Sequence, residues 1–129
     1  MSRVALVTGG SRGIGAAISK ALQAAGYKVA ASYAGNDEAA AKVTAETGIP
    51  TYKRDVGDYD ACAAGIAKIE AELGPVDVLV NNAGITKDGF FHKMSKDQWS
   101  AVIRTNLDGL FNMTRPVING MRDRGFGRI

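Results

Sequence analysis

The stretch Thr8-Gly9-Gly10-Ser11-Arg12-Gly13-Ile14-Gly15 sets glycines at 9, 13 and 15 directly after the apolar run Val4 to Val7. Glycine clears side chains from backbone that must turn and that a ligand must approach closely. An amphipathic pattern begins near Arg12. A helix starting there aims unpaired N–H groups and the positive end of its dipole at the turn, which suits a pyrophosphate. The spacing is Gly-x-x-x-Gly-x-Gly, not the Gly-x-Gly-x-x-Gly of the usual dinucleotide fingerprint. A second cluster, Asn81-Asn82-Ala83-Gly84, follows the run Val76-Asp-Val-Leu-Val80. Small residues and side-chain amides at a strand's carboxyl end let a ring or a ribose approach and be hydrogen bonded. Taken alone, the same four residues also read as a simple Asn/Gly turn.

Both clusters need elements to hold them, and the chain alternates two kinds. Strand-like apolar runs recur at residues 3–8, 28–33, 51–54 and 76–81, continuous as in a sheet buried on both faces. Helical patterns lie between them. The first, about 12–25, carries Ile14, Ala17, Ile18, Ala21 and Leu22 on one face and stops at Gly26. The second follows Asn36 as N-cap, has Asp37 and Glu38 in its first turn, and ends at Gly48 before Pro50. The third runs from near Asp58 to Gly74-Pro75, and the fourth opens at Ser95 with Gln98 completing a capping box. This fourth helix is expected to reach about Arg122, bending at Gly109 and Pro116. The order βαβαβαβα predicts an α/β fold, a parallel sheet with helices on both faces.

No repeat, low-complexity tract or linker interrupts residues 1–129, which read as one domain. Residues 122–129 read as a turn leading into another strand. Without that strand the run 76–80 would be an exposed apolar edge, prone to aggregation. The expectation is the N-terminal part of a longer one-domain protein, its sheet truncated before the fifth strand is complete.

Bulk composition narrows the function classes. Hydrophobic residues make up 46% and charged residues 22%, ordinary for a globular protein. The net charge is +3 with no long Lys/Arg run, so the basic stripe of a nucleic-acid binder is missing. Cys62 is the only cysteine and has no internal partner, which fits a reducing cytoplasm. It shares a predicted helix face with Ile66 and Ile69, as a buried, inert thiol does. No apolar stretch is long enough for a membrane span, and no signal-peptide pattern appears. A soluble cytoplasmic protein is expected.

Thr8 to Gly15, Asp55-Val56, Asn81 to Gly84 and Asn106, in that order, resemble the signatures of the short-chain dehydrogenase/reductase family. The resemblance covers essentially the whole chain. It implies a Rossmann-type doubly wound sheet, a nicotinamide cofactor, and hydride transfer to or from a carbonyl carbon. By resemblance, Gly9, Ser11, Arg12, Gly13, Ile14 and Gly15 would hold the phosphates and the adenosine end. Asp55 would bind the adenine amino group, with Val56 beside the ring. Asn82, Ala83, Gly84 and Ile85 would line the ribose and nicotinamide side. Asn106 resembles the helix asparagine of the family's catalytic tetrad, which orients a water in the proton relay. Without the family pattern it is a polar residue in an ordinary helix.

Sites of this type that take NAD usually place Asp or Glu at the end of the second strand, on the ribose 2′-OH. Here residues 29–36 hold no acid, and the first is Asp37. A 2′-phosphate would meet no carboxylate. Arg12 could reach it, and Ser32 or Tyr33 could donate a hydroxyl. NADP(H) is therefore expected, although Arg12 also reads as a surface residue at a helix start.

The family's Ser, Tyr and Lys are missing from this stretch. Tyr27, Tyr33, Tyr52 and Tyr59 are followed four residues on by Ala31, Asp37, Val56 and Ala63, never by Lys. The 129-residue chain alone is expected to be inactive. His92, the only histidine, has no metal-ligand neighbours and reads as a loop residue, so no metal site is expected. Phe90, Phe91 and Met94 could line an acyl-binding mouth or simply pack on the next helix. Trp99, Val102, Ile103, Leu107, Leu110 and Phe111 form a helical stripe; the helix resembles the one that pairs across a subunit interface in the family, which implies burial partly within and partly between subunits.

Two branches of the family compete. Residues 82–88 resemble both the 3-oxoacyl-[acyl-carrier-protein] reductases of fatty acid synthesis and the acetoacetyl-CoA reductases of polyhydroxybutyrate synthesis. Residues 91–99 and 109–129 look closer to the latter. The resemblance implies NADPH-dependent reduction of the acyl thioester acetoacetyl-CoA to (R)-3-hydroxybutanoyl-CoA, by a homotetramer that binds neither nucleic acid nor membrane. A non-catalytic dinucleotide-binding module is the alternative from another class.

Overall fold

The computed structural model describes residues 2–129. Four parallel strands, β1 (Val4–Thr8), β2 (Lys28–Tyr33), β3 (Thr51–Lys53) and β4 (Val76–Val80), form one sheet in the order β3-β2-β1-β4. The helices are α1 (Gly13–Ala24), α2 (Asp37–Thr47), α3 (Tyr59–Leu73), α4 (Lys96–Ile103) and α5 (Gly109–Arg124). Every residue of β1 is buried. Val4 and Leu6 join Ile66, Ile69, Met113 and Val117 on one face, while Val7 joins Ala16, Val43 and Ile49 on the other. That two-sided burial is why the strands read as unbroken apolar runs rather than alternating ones. The connections after β1 and β4 lie side by side, at the point where successive strands leave toward opposite edges. In open α/β sheets this switch point is where ligands bind.

The expected strands are present, trimmed by a residue where the runs extended to Arg3, Arg54 and Asn81. The expected cap is made as read, the Asn36 side chain accepting from Ala39 N–H at 3.0 Å; Asp58, near which the third helix was expected to begin, also caps, accepting from Ala61 N–H at 3.1 Å. Ser95 and Gln98 form the expected capping box.

The fourth helix differs from its reading. It is interrupted at Arg104–Asp108 by a wide π turn, which separates α4 from α5. Gly109, one of the two expected bending sites, opens α5 directly after that turn, and α5 continues through the other, Pro116. Gly109 also serves packing, since a Cβ there would lie 2.9 Å from a Val56 methyl. The stripe of Trp99, Val102, Ile103, Leu107, Leu110 and Phe111 contains no buried residue. The buried face of α5 is Gly109, Asn112, Met113, Val117 and Met121.

Beyond α5, Gly125 takes a left-handed conformation and residues 126–129 run back along β4. Arg128 N–H donates to Asp77 O at 3.0 Å and Arg128 O accepts from Leu79 N–H at 2.9 Å, a parallel bridge opposite Val78. The edge expected to be bare is thus paired at its centre.

Candidate functional site

The site grows from one buried hydroxyl. Thr8, at the end of β1, accepts at Oγ1 from Asn82 N–H (3.0 Å) and Ala83 N–H (2.9 Å). The Asn82 side-chain amide returns the contact, donating from Nδ2 to the carbonyls of Thr8 and Gly9, both at 3.2 Å. The glycine turn and the Asn-Asn-Ala-Gly turn are thereby one rigid piece. Sequence reading put Thr8 at a strand end and missed this role; its place between the apolar run and Gly9 was the available signal.

The turn itself depends on absent side chains. Gly9 has φ +61°, where an L side chain is strained, and a Cβ on Gly15 would overlap the Gly9 carbonyl oxygen. Ser19, wholly buried in α1, donates toward the carbonyls of Gly10 (3.0 Å) and Gly15 (2.9 Å) and fixes the turn from behind. It too was missed, since a small polar residue in a helix carries no sign of what it touches.

At Arg12, the N-cap of α1, no side chain caps the first turn, and that turn contains no acid. Helices α2, α3 and α4 are each capped by Asn36, Asp58 or Ser95. α1 alone among these leaves its leading N–H groups to face the cleft, the arrangement an anion requires.

Every residue expected at the cofactor lines this single cleft: Gly9, Ser11, Arg12, Gly13, Ile14, Gly15, Ser32, Tyr33, Asp55, Val56, Asn82, Ala83, Gly84 and Ile85. Arg54 and Thr105 line it as well and were not anticipated. Thr105 sits in the unforeseen wide turn, and Arg54 read as the end of a strand. Asn106 borders an adjoining recess with Arg12, Ile85, Thr86 and Lys87.

At the end of β2, the Ser32 hydroxyl is buried and has no hydrogen-bond partner among the described residues. Tyr33 is already engaged: its hydroxyl donates to Asp37 Oδ1 at 2.9 Å, and Lys53 lies 3.3 Å from the same carboxylate. The Tyr33 hydrogen bond, then Lys53, holds the Asp37 carboxyl below its ordinary range. Of the two hydroxyls expected to serve a phosphate, only Ser32 is uncommitted.

Asp55 accepts from Arg104 Nη1 at 2.6 Å on one oxygen and from Gly57 N–H at 2.8 Å on the other. The Arg104 contact, with a smaller contribution from the Gly57 N–H, holds this carboxyl below the usual range. Asn106 spends both ends of its amide on Ile85: Oδ1 accepts from Ile85 N–H at 2.8 Å and Nδ2 donates to Ile85 O at 2.9 Å. Its side chain therefore fixes the loop after β4, with one amide hydrogen and one carbonyl lone pair left over.

The remaining candidates stand apart. Cys62 is fully buried, and burial pushes its thiol up to about 11. His92 is exposed, and no group of three His, Cys, Asp or Glu side chains that could hold a metal occurs among the described residues. Phe91, Met94 and Trp99 line a shallow groove away from the cleft, and Phe90 and Phe91 are exposed. No helix among the described residues is long and apolar enough to cross a membrane.

Comparison with known proteins agrees with this geometry. The chain is 78% identical over its whole length to an acetoacetyl-CoA reductase of Shinella zoogloeoides and 72% identical to one of Paracoccus denitrificans. It is 41% identical to the 3-oxoacyl-[acyl-carrier-protein] reductase MabA of Mycobacterium avium. It spans 54%, 53% and 48% of those relatives, about half of each. A crystal structure of a short-chain dehydrogenase from Streptomyces avermitilis superposes with a TM-score of 0.89 at 35% identity, covering 98% of this chain and 47% of that one. The family model described as short chain dehydrogenase matches residues 3–129, from the strand that opens the cleft to the segment bridged to β4. By that match the chain belongs to the short-chain dehydrogenase family.

Proposed function

We propose that this chain is the cofactor-binding part of an NADPH-dependent acetoacetyl-CoA reductase, forming (R)-3-hydroxybutanoyl-CoA for polyhydroxybutyrate synthesis. The observation that carries the reading is whole-chain identity of 71–78% to three acetoacetyl-CoA reductases. Family membership implies a nicotinamide dinucleotide, and the cleft fits one: the uncapped start of α1, the glycine turn a Cβ would fill, and the unpartnered Ser32 hydroxyl.

The first-turn N–H groups of α1 and the Arg12 guanidinium would neutralise the pyrophosphate. Asp55 would accept from the adenine amino group, with Val56 against the ring. Asn82, Ala83, Gly84 and Ile85 would border the second ribose and the nicotinamide, held in place by Thr8 and Asn106. NADP(H) is preferred because the first acid after β2, Asp37, is tied to Tyr33 and Lys53, while Ser32 is free to donate to a 2′-phosphate. When bound, the reduced nicotinamide supplies the hydride that turns a 3-oxo into a 3-hydroxy group. None of the four tyrosines has Lys four residues on, so residues 1–129 lack the family's Tyr–Lys proton donor and on their own would be inactive. The active protein is a cytoplasmic homotetramer in this reading.

The 41% identity to MabA supports a second reading, reduction of 3-oxoacyl groups on a carrier protein. Turnover of acetoacetyl-CoA and acetoacetyl-carrier protein by the full-length protein, with NADPH and with NADH, separates them. Preference for acetoacetyl-CoA and NADPH is expected; preference for the carrier protein favours the second reading. Binding of a pyridine nucleotide without turnover of either thioester favours a non-catalytic module.

A further inference from the structure

The π turn at Arg104–Asp108 grips both ends of the cleft at once. Arg104, its first residue, reaches Asp55 beyond β3, and Asn106, two positions on, holds Ile85 beyond β4. Thr105 between them lines the cleft itself. Residues two apart on a helix point to nearly opposite sides, so Arg104 and Asn106 reach different walls of the cleft from one turn.

The contact to Asp55 has two features beyond an ordinary surface pair. First, both carboxylate oxygens are committed before any ligand arrives, Oδ2 to Arg104 Nη1 at 2.6 Å and Oδ1 to Gly57 N–H at 2.8 Å. The carboxylate is therefore fixed in plane, although each oxygen retains a lone pair for a further donor. Second, the Arg104 guanidinium lies over Gly57, where a Cβ would come 2.6 Å from Nη1. The bare backbone at Gly57 is what lets the guanidinium settle there.

We propose that Arg104 is a positioning residue for the adenine end of the cleft: it pre-orients Asp55 and offsets its charge beside a ligand that is itself anionic. The inference deepens the dinucleotide reading above and rests on it. Two effects act in the same direction. A carboxylate held in one orientation costs less entropy to pair with an amino group than one that rotates freely. Without Arg104, the full negative charge of Asp55 would also face the ligand's phosphates across the cleft.

The test is a double-mutant cycle in the full-length protein, Arg104→Ala and Asp55→Asn singly and together, with Arg104→Lys as a conservative variant. Binding is titrated with NADPH, with ADP-ribose as the adenine half and with reduced nicotinamide mononucleotide as the other half. Arg104→Ala is expected to weaken NADPH and ADP-ribose alike, by about two- to five-fold, the range of a half-exposed ion pair. The nicotinamide half should bind unchanged, which also shows that the variant is folded. Arg104→Lys should recover part of the loss, and in the Asp55→Asn background the Arg104→Ala effect should vanish. Unchanged ADP-ribose binding in Arg104→Ala overturns the inference, as does a loss that persists alongside Asp55→Asn. If the unmutated protein binds no pyridine nucleotide, the dinucleotide reading itself falls, and this inference with it.

Discussion

Thr8 Oγ1 lies 2.9 Å from Ala83 N–H and 3.0 Å from Asn82 N–H, so a single hydroxyl joins the carboxyl ends of two neighbouring strands. Thr8 is 2% exposed. Thr8→Val keeps the shape and removes the acceptor. Asn82 N–H retains a contact to Val80 O at 3.1 Å, leaving Ala83 N–H as the orphan. The expected loss is about 1–3 kcal/mol of stability, measured by urea unfolding, together with weaker cofactor binding. Thr8→Ser should behave like the unmutated protein; equal loss in both variants would show that the methyl, not the hydroxyl, matters.

Asn106→Asp tests whether the amide acts through Ile85. An ionised carboxylate still accepts from Ile85 N–H but cannot donate, and it places negative charge 2.9 Å from the Ile85 carbonyl oxygen. The loop at residues 81–85 should lose its setting while the glycine turn keeps its own. The expected outcome is at least a ten-fold fall in kcat with a much smaller change in the dissociation constant for ADP-ribose. Equal losses in both would place Asn106 in the general stability of the cleft.

These two residues mark how far the sequence was legible. Gly9 and Gly15 could be read because glycine has few reasons to recur beside an apolar run, and the strand–turn–helix order supplied the context. Asn36 and Ser95 could be read because a cap bonds within three residues of itself. The wide turn was invisible: no proline or glycine interrupts Arg-Thr-Asn-Leu-Asp, and what holds it there, Asp55 and Ile85, is 49 and 21 residues away in the chain. Thr8 is the same case, its hydroxyl meeting Asn82 and Ala83 74 and 75 residues on. Local chemistry was readable; pairings across the sheet were not.

Asp55 carries a pH dependence whose sign is fixed by Arg104. Its folded pKa lies below the unfolded value, so the pair's contribution is present above the ordinary carboxylate range and is lost as pH falls through the lowered value. The side chains are about half exposed, which keeps the contribution small. Carboxyl-resonance titration by NMR should show Asp55 titrating below a typical Asp, and Arg104→Ala should return it to the usual range. An unmoved midpoint in that variant would assign the shift to Gly57 N–H instead.

Cys62 should be unreactive in the folded protein. Its thiol is fully buried, and desolvation pushes its pKa up to about 11, leaving almost no thiolate at neutral pH. Iodoacetamide at pH 8 should label it only after denaturant is added. Rapid labelling of the native protein would mean that α3 opens readily from the sheet.

Ser32→Ala separates a binding role from a structural one, because the two predict opposite signs for stability. In the unliganded protein the Ser32 hydroxyl is 1% exposed and unpartnered among the described residues, a state that costs about 1–3 kcal/mol relative to a satisfied hydroxyl. Replacing it with a methyl group removes that cost, so the melting temperature should rise or stay level. If the hydroxyl is kept for a 2′-phosphate, NADPH affinity should fall by about ten-fold, the worth of one hydrogen bond to a charged group. NADH, which has no such phosphate, should bind as before. A drop in melting temperature with both nucleotides equally affected would falsify the assignment and make Ser32 part of the packing between β2 and the glycine turn.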